Sequence, residues 1–270
     1  MQIKQYQVDA FTDHVFGGNP AAVCFLDAWL PEQTMQAIAA ENNLSETVFC
    51  VPDANGYGIR WFTPRFEIGL AGHPTLAAAW VVLNEIHPTH DEVRFTSKYD
   101  ETLTVVRDGK KLKMDFPSVP GRASDNVAPV AQALGAIPEV YLVARDGMAV
   151  FSDQATVERL QPDMVKIAEL DQMGIIATAP GENCDFVSRF FAPKVGIPED
   201  PVTGSAHCTL IPFWAEQLGK SVLLARQVSE RGGLLYCKHR GERVDLGGTA
   251  VLFMEGIITL PQIGKHENCD

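Results

Sequence analysis

The stretch at 62–83, FTPRFEIGLAGHPTLAAAWVVL, decides the fold because a second stretch at 191–214, FAPKVGIPEDPVTGSAHCTLIPFW, answers it. Phe62-Thr63-Pro64-Arg65 matches Phe191-Ala192-Pro193-Lys194 at an offset of 129 residues. Each is followed by a turn of small residues, Ala71-Gly72-His73-Pro74-Thr75 or Thr203-Gly204-Ser205-Ala206-His207, that opens an apolar segment. Gly72 and Gly204 are 132 residues apart, and so are Gly109 and Gly241, the glycines of two hairpin-like patterns. Strand–helix–hairpin stretches occur in any α+β protein. Agreement of both order and spacing points instead to two similar halves of about 130 residues.

The two apolar segments lack a polar face. Leu76 to Leu83 is apolar all round, and Thr209 to Trp214 nearly so, with Pro212 expected to kink it. Helices of this kind are buried on every side, so each half reads as a sheet wrapped around one central helix. The other segments supply the strands. Ile3–Ala10, Ala21–Leu26, Thr47–Val51 and Gly58–Phe62 have strand patterns, and Pro31–Asn42 is helical with Pro in its first turn. Thr102–Arg107 and Lys111–Phe116 alternate about an Asp108-Gly109 turn. Gly233–His239 and Glu242–Leu246 flank Arg240-Gly241 in the same way, and Thr249–Leu260 is a further strand. The halves are expected at 1–117, with a central helix about 73–86, and 118–260, with a central helix about 205–218. Residues 261–270 lose periodicity and read as a loose tail.

Composition narrows the function. The 270 residues carry 22 Lys and Arg against 34 Asp and Glu, a net charge of −12, which disfavours nucleic acid and anionic membrane surfaces as partners. An apolar fraction of 46% is ordinary for a globular chain. The six cysteines form no CxxC pair or zinc-finger spacing and fit a reducing compartment. The first residues, MQIKQYQVDAF, have no signal-peptide core, and no apolar run approaches the roughly 20 residues that span a bilayer. A soluble cytoplasmic protein is the expectation.

The start of each central helix is the first place to look for chemistry. A helix N-terminus presents unpaired N–H groups and partial positive charge, so two in equivalent positions suit a small carboxylate or phosphate; the alternative is that Gly and Ser are there only as caps. His73 stands at one helix start, where the dipole favours the neutral imidazole. Asp200 precedes the other and is either a cap partner or a holder of a substrate group. Asp200, Ser205 and His207 do not make a hydrolase triad, since no G-x-S-x-G elbow is present. His87-Pro-Thr-His90 lacks the spacing of a helical zinc pair, Cys208 reads as a packing residue, and neither a P-loop nor G-x-G-x-x-G occurs.

Phe16-x-Gly18-Asn19-Pro20, Asn43-Leu44-Ser45-Glu46-Thr47, Gly69-Leu-Ala-Gly72-His73-Pro74-Thr75 and Glu199-Asp200-Pro201-Val-Thr203-Gly204-Ser205-Ala206 together resemble the phenazine-biosynthesis isomerase (PhzF-like) family. The resemblance implies the α+β, duplicated diaminopimelate-epimerase-like fold, each half a curved mixed sheet around a central helix, with the active site between the halves. It also implies that Glu46 is the catalytic acid/base, a role that the residue's setting alone would not suggest. By the same resemblance His73 and Asp200 act on the substrate with it, while Asn19, Gly72, Gly204 and Ser205 line or approach the site. Fold relatives that racemise amino acids use a cysteine at each helix start; this chain has His73 and Gly204-Ser205 there. The expectation is therefore a cofactor-independent isomerase, without metal, that moves a proton on a small unsaturated or cyclic carboxylic acid and works as a homodimer. The alternatives are a one-base epimerase or racemase and a non-catalytic binding protein on the same fold.

Overall fold

The structure is a computed structural model in which residues 1–261 are described. A first series of strands runs β1 (Gln2–Ala10), β2 (Asn19–Phe25), β3 (Glu46–Asp53), β4 (Gly56–Phe62), a short β5 (Glu67–Ile68), β6 (Glu92–Ser97), β7 (Thr102–Asp108) and β8 (Lys111–Pro117). After a short β9 (Arg122–Ala123), a second series runs β10 (Val140–Val143), β11 (Gly147–Val150), β12 (Ile175–Pro180), β13 (Phe186–Phe191), β14 (Val222–Gln227), β15 (Gly233–Arg240) and β16 (Arg243–Gly248), and β17 (Ala250–Thr259) follows. The helices are α1 (Glu32–Asn42), α2 (Gly72–Val81), α3 (Val127–Leu134), α4 (Gln154–Arg159), α5 (Met164–Glu169) and α6 (Gly204–Leu218).

The strand pairings repeat. From β1 through β2, β3, β4, β6 and β7 to β8 the successive pairs are antiparallel, parallel, antiparallel, parallel, antiparallel and antiparallel. From β10 through β11, β12, β13, β14 and β15 to β16 the series is the same. Parallel neighbours need a crossover, and helices supply it at matching places. In the first series α1 bridges β2 and β3, and α2 lies between β4 and β6. In the second α4 and α5 bridge β11 and β12, and α6 lies between β13 and β14. The two series join where β8 pairs antiparallel with β16. The last strand of each leaves its own series: β17 pairs with β1, and β9 with β10.

Burial follows from the helix compositions. In α2, residues Gly72–Ala79 and Val81 are all buried, and α6 buries Leu210, Ile211 and Trp214. Both central helices share one large apolar core with the inner faces of the strands. Met35, Ile38 and Ala39 of α1 pack with Cys24, Phe49 and Phe62 in a smaller core on the other face. Val130, Val157 and Ile167, from α3, α4 and α5, do the same for the second series.

Three local features differ from the sequence expectation. In both hairpins the turn lies one residue later than Asp108-Gly109 and Arg240-Gly241. Asp108 pairs with Lys111 and Arg240 with Arg243, leaving Gly109-Lys110 and Gly241-Glu242 as the loops. Each glycine has positive φ, +63° and +75°, and so occupies the first loop position that requires it. The first central helix closes with a π-helical turn over Val82–Ile86. The second central helix spans Gly204–Leu218, close to the expected 205–218, with Pro212 inside it; the carbonyl of Cys208, which would have accepted from residue 212, accepts from the Val119 N–H at 2.9 Å. The expected tail at 261–270 lies, apart from Pro261, outside the described residues.

Candidate active site

Four chain segments converge where the two central helices begin. The first is the turn before β2. Gly18 has φ +61°, and a Cβ there would stand 2.1 Å from the Ala10 carbonyl oxygen, so only glycine allows the chain to turn in and deliver Asn19. The second is the entry to β3: α1 ends at Asn43 in the left-handed conformation, and Glu46 opens β3 beside Ala21 of β2. The third is the first turn of α2, which carries His73. The fourth is the loop before α6, which carries Asp200. The helix starts nearly touch, since a Cβ on Gly72 would lie 3.4 Å from the Cα of Gly204. Neither capping residue, Ala71 or Thr203, makes a side-chain capping hydrogen bond.

Asn19 is the hub of the polar network and is fully buried. Its amide nitrogen donates to Asp200 Oδ1 at 2.8 Å and to the Val202 carbonyl at 2.9 Å, and lies 3.1 Å from His73 Nδ1. Its two hydrogens are thus taken up by Asp200 and Val202. Its oxygen accepts from the Ser45 hydroxyl at 3.3 Å. The other oxygen of Asp200 accepts from Thr203 Oγ1 at 2.6 Å. Gln227, at the end of β14, accepts from the Thr203 N–H and donates to the Asp200 carbonyl at 2.7 Å. Asp200 and α6 are thereby fixed to the sheet.

Glu46 and His73 are in a different condition. His73 Nε2 and Glu46 Oε2 are 3.1 Å apart, but the imidazole N–H is not aimed at the carboxyl, and both buried atoms lack a hydrogen bond. Burial, reinforced by the charge of Asp200, holds the Glu46 carboxyl well above the usual range. Burial pushes Asp200 up to about 6, against the hydrogen bonds from Thr203 and Asn19. His73 is pushed down to about 3 by burial, with a backbone hydrogen bond at Pro20 acting in the opposite sense, so its imidazole is neutral at neutral pH. Two neighbouring carboxyl groups whose surroundings raise their proton affinities are suited to proton transfer.

These groups stand at the wall of a cavity of about 630 Å³. Glu46, Gly72, His73, Asp200, Gly204 and Ser205 line it, whereas Asn19 lies behind the wall. Much of the remaining surface is apolar, including Phe66, Leu70, Tyr99, Phe116 and Met173. Cys208, expected to be packing only, is also part of the wall. His207 faces away from the cavity, its ring against Phe186 and its Nδ1 2.8 Å from the Thr203 carbonyl. His87 and His90 stack on each other at 4.8 Å, apart from the cavity.

Sequence reasoning missed three residues. Gln227 is one. The others are Arg145 and Asp146, in the turn between β10 and β11, which also line the cavity. Ala-Arg-Asp-Gly at 144–147 reads only as a turn, and nothing in it signals a partner at Ser205. Among the described residues no cluster of three or more His, Cys, Asp or Glu is placed to hold a metal ion, and no helix is long and apolar enough to cross a membrane.

Known proteins are similar to this chain in sequence and fold. The family model described as phenazine biosynthesis-like protein matches residues 8–256. An uncharacterized isomerase of Pseudomonas aeruginosa is 46% identical over 260 residues, covering 96% of this chain and all of its own. The crystal structure of a PhzF-family phenazine biosynthesis protein from Enterococcus faecalis superposes with a TM-score of 0.93 at 45% identity, over 96% of this chain and 100% of that one. A hydroxyproline epimerase from Agrobacterium vitis shares the fold alone, with a TM-score of 0.63 at 9% identity over 95% of this chain and 92% of its own. These neighbours place the architecture in the diaminopimelate-epimerase-like class.

Proposed function

This chain belongs to the phenazine biosynthesis-like (PhzC-PhzF) family, and on that premise we propose that it is an isomerase that moves a proton between carbons of a small unsaturated or cyclic carboxylic acid, with Glu46 as general acid/base and no cofactor. One observation carries the reading. Glu46 and His73 are buried side by side at the cavity wall with their facing atoms free of hydrogen bonds, where two helix N-termini meet.

The chemistry follows from these positions. The substrate carboxylate lies against the helix starts at Gly72 and Gly204-Ser205, where N–H groups and helix dipoles favour an anion. The apolar wall takes the carbon skeleton and keeps water from the reacting carbons. Glu46 in its ionised form removes a proton from a carbon next to the unsaturated system. The resulting enolate-like charge is stabilised by the same helix ends, and Glu46 returns the proton at another carbon, directly or through His73, whose ring gives up one proton as it takes that of Glu46. Because burial and Asp200 hold the Glu46 proton, the forward step draws on its ionised fraction. Asp200 is held by Asn19 and Thr203 and serves as the fixed negative charge that sets the proton affinity of Glu46. The site is built from two halves of one chain; a homodimer in the cytoplasm is part of the proposal.

The test is proton NMR in D₂O with a dihydro-hydroxyanthranilate and a panel of related unsaturated and amino carboxylic acids. Wild type is expected to place deuterium on a substrate carbon, and Glu46→Gln to lose that exchange. Equal exchange by both proteins refutes Glu46 as the base. A chiral assay on the amino-acid members separates isomerisation from epimerisation.

A further inference from the structure

The cavity is unevenly charged. Its wall carries four carboxyl groups, from Glu46, Glu101, Asp146 and Asp200, and Arg145 is the one Lys or Arg lining it among the described residues. An anionic substrate therefore finds one fixed positive side chain, at one corner of the wall. That corner is built rather than incidental. Arg145 Nη2 donates to Ser205 Oγ at 2.9 Å, on the first turn of α6. On its other side Asp146 Oδ2 accepts from Arg145 Nε at 3.1 Å and lies 3.0 Å from Nη2. Asp146 is 3% exposed, and its second oxygen, Oδ1, has no hydrogen-bond partner. A buried carboxylate with one free oxygen costs stability unless it serves a purpose, and here its charged partner is the guanidinium. Arg145 itself is 57% exposed in its side chain, so its position is not required by packing.

We propose that Arg145, oriented by Asp146, is the specificity-determining residue that binds the substrate carboxylate, completing an anion site with Ser205 and the N-terminus of α6. This rests on the carboxylic-acid reading above and deepens it: it fixes which end of the substrate faces Arg145, and so which carbons face Glu46 and His73. With Nε and Nη2 held by Asp146 and Ser205, Nη1 of the planar guanidinium is left to donate to the carboxylate, a fixed arrangement that a lysine cannot reproduce. Arg145 is the positioning group for the anion, and Asp146 positions Arg145.

The test uses binding, so that it stands apart from turnover. Benzoate and 2-aminobenzoate are titrated calorimetrically against their uncharged amides, with wild type, Arg145→Ala, Arg145→Lys and Asp146→Asn. Wild type is expected to prefer the carboxylates by about tenfold or more, the range of a charge-assisted pair. Arg145→Ala is expected to reduce the preference to about twofold or less, and Arg145→Lys and Asp146→Asn to intermediate values. A wild-type preference that survives in Arg145→Ala overturns this inference alone. Asp146→Asn behaving as wild type overturns the orienting role of Asp146. A wild type without preference overturns the carboxylate reading, and this inference with it. Thermal melts of each variant confirm folding, which the exposure of Arg145 favours.

Discussion

Replacing Asn19 by alanine tests the polar network at its hub. The substitution removes the donor that Asp200 Oδ1 and the Val202 carbonyl share, at 2.8 and 2.9 Å, at a fully buried position. An unsatisfied buried acceptor costs about 1–3 kcal/mol, and more when it is charged, so the loss is expected at about 3–5 kcal/mol at pH 8. The loss should depend on pH in a defined direction. Asp200 has a folded value of about 6 against an ordinary value of 3.8, so between the two the folded chain holds a proton that the unfolded chain has released. That contribution is fully present below about pH 4 and is lost as pH climbs through 6. It is worth on the order of 3 kcal/mol at 1.36 kcal/mol per unit. The Asn19 hydrogen bond acts to lower the Asp200 value. Without it the value rises further, and the loss of stability extends to higher pH. Asn19→Ala should therefore be destabilised less at pH 5, where Asp200 is protonated in both proteins, than at pH 8, where it ionises in wild type. Contributions common to both proteins, including that of Glu46, cancel to first order. Urea unfolding at the two pH values, with m-values compared, provides the measurement. Equal destabilisation at pH 5 and pH 8 would refute the argument, because the bond would then not be to an ionised carboxylate.

Two further outcomes are expected. The deuterium-exchange rate should rise with pH through a limb above the ordinary carboxylate range, because burial and Asp200 hold the Glu46 proton; in Asp200→Asn the limb should move to lower pH, and an unmoved limb in a pH–rate profile would show that the Asp200 charge is not felt at Glu46. Gly18→Ala should cost about 2–4 kcal/mol in denaturant unfolding and weaken exchange, since it forces a strained φ and a clash with the Ala10 carbonyl on the turn that delivers Asn19; a loss under about 1 kcal/mol would mean that the turn relaxes freely.

The duplication was legible because it left marks at a fixed spacing. Phe62 and Phe191 end equivalent strands, Gly72 and Gly204 open equivalent helices, and Gly109 and Gly241 turn equivalent hairpins. The apolar circumference of 76–83 identified a buried helix, since no other placement hides that surface. The exchange of β17 and β9 between series was not legible. An alternating strand reads the same whichever neighbour it pairs with, and pairing between residues 2 and 259 leaves no local trace. The same limit hid Gln227 and the Arg145–Ser205 bond, both of which are contacts between distant segments. Glu46 became a candidate only through family resemblance. A carboxyl at a strand start is ordinary in sequence; what sets it apart is its closeness to His73 and Asp200 across the fold. Cys208 packs against the core as expected, and helix periodicity could not show that its face of α6 also borders a cavity.

The pairing of β17 with β1 also governs how the chain can be made. Strand β1 is made long before β17, so one of its edges has no partner until residues 250–259 emerge. The Met1 amino group likewise reaches its acceptor, the Leu260 carbonyl, across 259 residues. Synthesis at about 5–20 residues per second leaves that edge open for roughly ten seconds or more, long enough to recruit a stray strand. The first series cannot complete the pairing of β1 early. Contacts this distant in sequence slow the search for the native state. The sheet around β1 therefore closes only once β17 has been made and takes its place beside it.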